Sequence, residues 1–257
     1  MSRFNEYRAQ FANVAMRRDG GILEITLHTG DGPLEWGSAA HEELPRAFHC
    51  IARDPANRVV IMTGLGASWS GPPAQPAAGR TTPRAWETIR EEGVRLVDEL
   101  LSIPVPVIAA VNGPAVRHAQ IPLLADIVLA AESATFWDSA HFTNNLTPGD
   151  GMAVAMIRLL GLNRGRYFLL TGQRLDAYEA HRLGLVAEVM PGPALLPRAW
   201  ALAGELSQRS DLVLRYTKLI MTQQIRAELV ATLGYGLALE GLGAIGATEG
   251  IRQLDDE

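Results

Sequence analysis

The sequence predicts an α/β fold, with strand–helix units first and helices filling the last third. Three observations lead there. The runs Val59–Gly64, Val105–Val111 and Asp126–Ala131 are apolar and rich in β-branched residues, and such runs read as strands buried on both faces, the habit of sheets covered by helices. The segments between them, 39–53 and 84–102, carry apolar residues at helical spacing instead. Beyond Asp150 nearly every segment has the helical period. A chain of 257 residues suffices for one large domain, or one domain with a small appendage. The change of pattern divides it into a core over 1–195 and a C-terminal helical region over 196–257.

Asp19-Gly20-Gly21 is a turn signal before the partly alternating run Ile22–Leu27, so a preceding strand over Ala12–Arg17 and a hairpin are expected. Thr29–Pro33 reads as a loop that delivers Trp36 to a helix over Ala39–Arg53. Leu44, Ala47, Phe48 and Ile51 mark the buried side of that helix, and Asp54-Pro55 ends it. Gly64–Pro83 is rich in Gly and Pro, and a loop of that length in a compact domain is commonly functional or mobile. An amphipathic helix Arg84–Ser102, the strand Val105–Val111, a short helix at Pro122–Leu124, and the strands Asp126–Ala131 and Thr135-Phe136 follow. The helices after them are Gly151–Leu160, which Asp150 is placed to cap, then Arg164–Thr171 and Asp176–Arg182. A strand at Leu185–Val189 precedes Leu195–Gln208, Leu212–Ile225 and Arg226–Leu242.

Composition excludes several classes of function. Apolar residues make up 47% and charged residues 20%, proportions that suit a packed soluble enzyme. The net charge is −5 and no basic run occurs, so no nucleic-acid partner is expected. The single cysteine, Cys50, allows neither an intrachain disulfide nor a cysteine-rich metal site; it sits comfortably with a cytoplasmic location. The first residues show no signal-peptide pattern. Apolar runs stop at about a dozen residues where a membrane span needs roughly 20, so no membrane is expected. No HxxxH or carboxylate-rich metal spacing appears. Gly64–Gly71 lacks the Lys-Ser/Thr ending of a phosphate cradle. The chain therefore calls for no cofactor and no metal.

Titratable groups gather in one stretch, Ile103–Asp150. Two apolar runs each lead into a break that carries a histidine: Asn112-Gly113-Pro114 before His118, and Asp138 and His141 before Pro148-Gly149-Asp150. A ligand between the breaks would meet two imidazoles and a carboxylate. His28, His41, His49 and His181 show no partner pattern and read as surface or helix-face residues.

Several strings, in this order and spacing, carry a resemblance. They are Val59–Gly64, Pro104–Gly113, Ala125-Asp126-Ile127 with Ala134-Thr135-Phe136, Pro148–Gly151, and Leu170-Thr171-Gly172 followed by Gly184-Leu185-Val186. Over nearly its whole length the chain resembles the crotonase (enoyl-CoA hydratase/isomerase) superfamily. The resemblance implies a spiral of ββα units with a C-terminal helical trimerisation region, and a homotrimer or dimer of trimers. It also implies two backbone N–H donors for a thioester enolate. Aligning Trp69 with the family's loop aromatic places Pro73 at the first donor, and proline has no N–H. His118 replaces the glycine of the second. The two acidic positions of a hydratase fall on Ile121 and His141. These departures argue against CoA-thioester hydration.

The same departures resemble the β-diketone hydrolase branch, typified by 6-oxocamphor hydrolase, which cleaves a C–C bond between two carbonyls by a retro-Claisen reaction. That branch's pattern is met here by Trp36, His118, His141 with Asp150, and Glu240. The roles it implies are chemically coherent. Water attacking a carbonyl needs a base, and imidazole titrates near neutral pH: His141, oriented by Asp150 as in a catalytic triad, with Glu240 holding the water. The expelled enolate needs a preorganised donor: His118, or the Trp36 indole N–H, which donates only. The substrate partner would then be a small diketone.

Plainer readings exist for each residue. Asp150 would cap a helix, Trp36 would be core, His118 beside Arg117 a solvated helix start. Glu240, among Leu237, Leu239 and Leu242, would need a partner if buried or would face a subunit. The alternatives for the whole chain are a CoA-thioester crotonase with an altered site and a non-catalytic crotonase-fold scaffold.

Overall fold

The computed structural model describes residues 3–73 and 81–255. After a short helix α1 (Phe4–Tyr7), strands β1 (Val14–Asp19), β2 (Ile22–Thr29) and β3 (Gly32–Glu35) lead to helix α2 (Ser38–Ala52). Strands β4 (Val59–Gly64) and β5 (Ser70–Gly71), helix α3 (Pro83–Leu101), strand β6 (Val107–Val111) and helix α4 (Gln120–Leu123) come next. Strands β7 (Ile127–Ala131) and β8 (Thr135–Phe136) precede helices α5 (Met152–Leu160) and α6 (Leu162–Thr171). The chain closes with β9 (Leu175–Asp176), α7 (Ala177–Arg182), β10 (Glu188–Met190), α8 (Gly192–Ser207) and α9 (Asp211–Asp255).

The main sheet runs β10-β7-β6-β4-β2-β3-β5, with β1 pairing on β2. β2, β4, β6, β7 and β10 are parallel, while β1 and β3 run antiparallel to β2. Alternate residues of β4 and β6 explain why these strands are apolar throughout. Val59, Ile61, Ile108 and Ala110 pack beneath α8, whereas Val60, Met62, Val107 and Ala109 enter the larger core on the opposite face. A second, smaller layer winds back over the first. β5 bridges Ala115, Ala115 bridges Phe136 of β8, and β8 pairs with β9. The fold is the crotonase-like α/β spiral.

Four expectations need correction. Thr29–Pro33 is not a loop but a tight turn joining β2 to β3, with Gly30 at φ +56°. The first strand is β1, two residues later than Ala12–Arg17, and the strand expected at Leu185–Val189 is β10. The final two helices are one, α9. Its inward stripe of Leu214, Lys218, Thr222, Ile225, Leu229 and Leu233 is continuous at three- and four-residue steps. The polar members Lys218 and Thr222 break the apolar pattern without breaking the helix. Lys218 is buried because its ammonium meets Asp126 Oδ2 at 2.6 Å, and the same oxygen accepts the Val107 N–H that opens β6. Residues 74–80 of the Gly64–Pro83 loop lie outside the described residues.

By length and composition α9 over Asp211–Gly246 would be enough to cross a membrane. Here it packs Leu229, Leu233 and Leu237 into the core against α3 and α5.

Candidate active site

The site begins where β6 ends. Asn112 clamps the loop after β4, its Oδ1 accepting from Gly64 N at 3.1 Å and its Nδ2 donating to Gly66 O at 2.8 Å. The carbonyl of Ala67 lies where a β-carbon on Gly113 would sit. The Asn-Gly pair is thus a joint between two loops. The chain then runs through Val116, whose carbonyl accepts from both the N–H and the hydroxyl of Ser139. It turns at His118 with φ +50°. That left-handed conformation costs a residue with a β-carbon roughly 1–2 kcal/mol. The position the family gives to glycine has a glycine's backbone and carries an imidazole.

That imidazole is held on both sides. Its Nδ1 lies 3.0 Å from Asp150 Oδ2, and the buried Gln120 amide donates to the same oxygen at 2.9 Å. Its ring centroid lies 4.1 Å from that of Trp36, with the two planes tilted by 45°. Its Nε2 lies 3.3 Å from the Nε2 of His41, which enters from the first turn of α2. Burial, reinforced by the charge of His118, pulls the His41 pKa down to about 3, so His41 is neutral. Trp36 is almost wholly buried and its Nε1–H has no partner among the described residues.

His141 lies opposite. Its Nδ1 meets Asp138 Oδ1 at 2.7 Å, while its Nε2 faces Asp150 Oδ1 at 3.6 Å and Glu240 Oε1 at 3.5 Å. Burial alone would favour the neutral ring, but the charge of Asp150 and hydrogen bonds to Asp138 and Glu240 outweigh it and lift the pKa well above the usual value. Asp150 moves the other way: burial works against its charge, yet the His141 charge and the His118 hydrogen bond hold its carboxyl far below the ordinary range. Burial raises the Glu240 carboxyl, its hydrogen bond to His141 draws it back, and the charge of Asp150 adds to the rise.

Glu240 reaches this centre because α9 comes unusually close. A β-carbon on Gly236 would lie 2.5 Å from the carbonyl of Gly149. Two glycines therefore let the helix backbone touch the Pro148-Gly149 turn. One turn further along, Glu240 Oε2 accepts the Gly149 N–H at 3.1 Å.

All five sequence-predicted residues, Trp36, His118, His141, Asp150 and Glu240, fall in this one neighbourhood. Two of the expected relations change. The carboxylate on His141 Nδ1 is Asp138, from the same short turn, and Asp150 lies between the two imidazoles, 3.0 Å from His118 Nδ1 and 3.6 Å from His141 Nε2. The N-cap of α5 is Gly151, at φ +94°, although Asp150 Oδ1 still accepts the Met152 N–H at 3.1 Å. His41 was read as a helix-face residue and is a wall of the site. Of the other histidines, His49 pairs with Glu99 and His181 bonds Val186 O. Gln120 was also missed, and Asp138, which stands with His141 in the second break, had no role assigned to it. The only signal for Asp138 was its three-residue distance from His141. After Trp69 the chain reads Ser70-Gly71-Pro72-Pro73, and Pro73, at the position the resemblance gives to the first thioester donor, carries no N–H.

Comparison with known proteins places this arrangement. The enoyl-CoA hydratase/isomerase family profile matches residues 17–239. A β-diketone hydrolase from the cyanobacterium Anabaena sp. PCC 7120, solved bound to (S)-3-oxocyclohexyl acetic acid, is 42% identical with a TM-score of 0.91, covering 95% of this chain and 98% of that one. An enoyl-CoA hydratase/isomerase from Mycobacterium paratuberculosis superposes with a TM-score of 0.83 at 27% identity, covering 91% and 94%. Among curated relatives, the 2,3-dehydroadipyl-CoA hydratase of Escherichia coli is 32% identical over 235 residues, 89% of this chain and 88% of the relative. The probable enoyl-CoA hydratase EchA12 of Mycobacterium tuberculosis is 29% identical over 233 residues, 87% and 80% of the two chains. The chain belongs to the enoyl-CoA hydratase/isomerase, or crotonase, superfamily.

Proposed function

We propose that the protein is a cofactor-independent hydrolase that cleaves the C–C bond between the carbonyls of cyclic or bicyclic β-diketones, giving keto acids by a retro-Claisen reaction. The observation that carries this reading is His118. A side-chain donor, tied to Asp150, occupies the left-handed turn where the family places a backbone donor. The likeness to a β-diketone hydrolase at 42% identity supports it.

The pKa directions refine the chemistry. With its pKa lifted, His141 favours the imidazolium, and we therefore assign the proton of the attacking water to a different base from the His141 that the resemblance implies. Glu240, facing His141 and lifted by burial, is the base, and the imidazolium stabilises the oxygen of the tetrahedral adduct. Collapse of the adduct breaks the C–C bond and leaves the electron pair as an enolate. The Trp36 N–H and His118 hold the enolate oxygen, and return of a proton to carbon completes the addition of one water. A substrate of this kind needs no cofactor.

The test is acid release from a panel of cyclic 1,3-diketones followed by pH-stat. His141→Ala and Asp150→Asn should each lower turnover at least about 100-fold, the usual scale for acid–base and oxyanion groups, with the circular dichroism spectrum retained. Wild-type rates in both variants would sink the assignment. The names of the curated relatives favour a second reading, an acyl-CoA substrate; saturable binding of an acyl-CoA by calorimetry would establish it. We propose further that the chain assembles as a homotrimer or dimer of trimers and works in the cytoplasm. The outward residues of α9 support assembly: Leu212, Tyr216, Ile220, Val230 and Tyr235 are each more than half exposed.

A further inference from the structure

One charged side chain at the site is used by nothing above. Among the described residues, Arg117 is the one arginine shielded from full exposure whose guanidinium makes no hydrogen bond and no ion pair. The other partly buried arginines, Arg18, Arg58, Arg90, Arg164, Arg198, Arg215 and Arg226, all have acceptors. Arg117 Nε is fully sequestered and has no partner. A sequestered N–H with no acceptor is costly, and burial pulls the guanidinium pKa down.

Its place is well defined. The Arg117 carbonyl accepts the Ser70 hydroxyl at 2.6 Å, and the neighbouring Val116 carbonyl is held by Ser139. The backbone is thus fixed immediately before the left-handed turn at His118. The guanidinium charge acts on both walls of the site. Asp150 and Asp138 raise its pKa from one wall, and it lowers that of His41 on the other.

We propose that Arg117 is an anion-recognition residue of this site and that its ligand is a carboxylate. A guanidinium fork matches a carboxylate in a bidentate pair. The nearby Asp138 and Asp150 would repel a dianion such as a phosphate monoester more than a monoanion, so the proposal commits to the single charge of a carboxylate. The carboxylate has two sources: a substituent the diketone substrate already carries, or the acid that hydrolysis creates. Only this choice of source rests on the diketone reading; the binding does not need turnover.

The probe is cyclohexylacetate, titrated calorimetrically into wild type, Arg117→Gln and Arg117→Lys, with cyclohexylacetamide as the neutral control. Wild type should bind the carboxylate in preference to the amide. Arg117→Gln should bind the carboxylate about 30-fold more weakly, the scale of a lost charged hydrogen-bond pair. Arg117→Lys, which keeps the charge and loses the fork, should fall between. Equal carboxylate affinity in all three, or wild-type binding of coenzyme A without binding of cyclohexylacetate, overturns the proposal. Turnover of matched diketones with and without a carboxymethyl group identifies the source. If Arg117→Gln lowers the ratio of their kcat/KM values, the carboxylate belongs to the substrate. If it leaves the ratio alone and raises the inhibition constant of the product, the carboxylate is the product's. Loss of carboxylate binding in a protein that hydrolyses no diketone would uphold Arg117 and reject the diketone reading.

Discussion

At the scale of single residues, the site is an arrangement of two imidazoles in opposite electrical states. His141 is ringed by Asp138, Asp150 and Glu240, while His41 is buried beside another imidazole and is neutral. Asp138→Asn should therefore move a pH profile in a direction fixed in advance. With Glu240 as base and His141 as cation, kcat rises as Glu240 ionises and falls as His141 loses its proton. Removing Asp138 removes a support for the cation, so the alkaline limb of kcat shifts to lower pH. An unmoved limb would mean that His141 is not the group titrating there. His118 offers a comparison free of chemistry. His118→Gly and His118→Ala lose the same imidazole, but only glycine is at home at φ +50°. Thermal or urea unfolding should find the glycine variant about 1 kcal/mol the more stable. The histidines at 118 and 141 were legible because each follows a break after an apolar run. His41 was not, because it sits on α2, far from that stretch, and its partner is known only once the chain folds.

At the scale of elements, most of the architecture was written in periodicity. Val59–Gly64 and Val107–Val111 are apolar on both faces because α8 covers one face of the sheet and the main core the other. What periodicity missed was polar burial. Lys218 and Thr222 put polar groups in the inward stripe of α9, and only the Asp126 carboxylate explains the lysine. Glu240 was ambiguous for the same reason, since sequence cannot say which turn of backbone a helix touches. The contact of Gly236 with Gly149 decides it. Gly236→Ala puts a β-carbon 2.5 Å from a carbonyl oxygen, so the helix must retreat and carry Glu240 with it. A loss of kcat of about tenfold or more is expected, since a displacement near 1 Å of a catalytic group can cost about 100-fold. Unfolding measurements on the same variant show whether the fold survives. Full activity would show that Glu240 is placed by something other than this contact.

At the scale of the whole molecule, one helix does two jobs. The inner side of α9 supplies Lys218 to Asp126 and Glu240 to the site, and its outer side presents Tyr216, Ile220 and Tyr235. If α9 carries the proposed assembly, replacing Ile220, three-quarters exposed, with Asp should shift sedimentation toward the single chain and lower turnover with it; a variant that sediments like wild type would reject this face as the interface. The left-handed turn at His118 has a wider consequence. The backbone there has the left-handed conformation that suits a glycine, and it carries an imidazole. On the proposed reading, a change of reaction needs only substitutions hung on a common scaffold. A search for new activities on this scaffold should vary the residues at 36, 41, 117 and 118 and leave the loops alone.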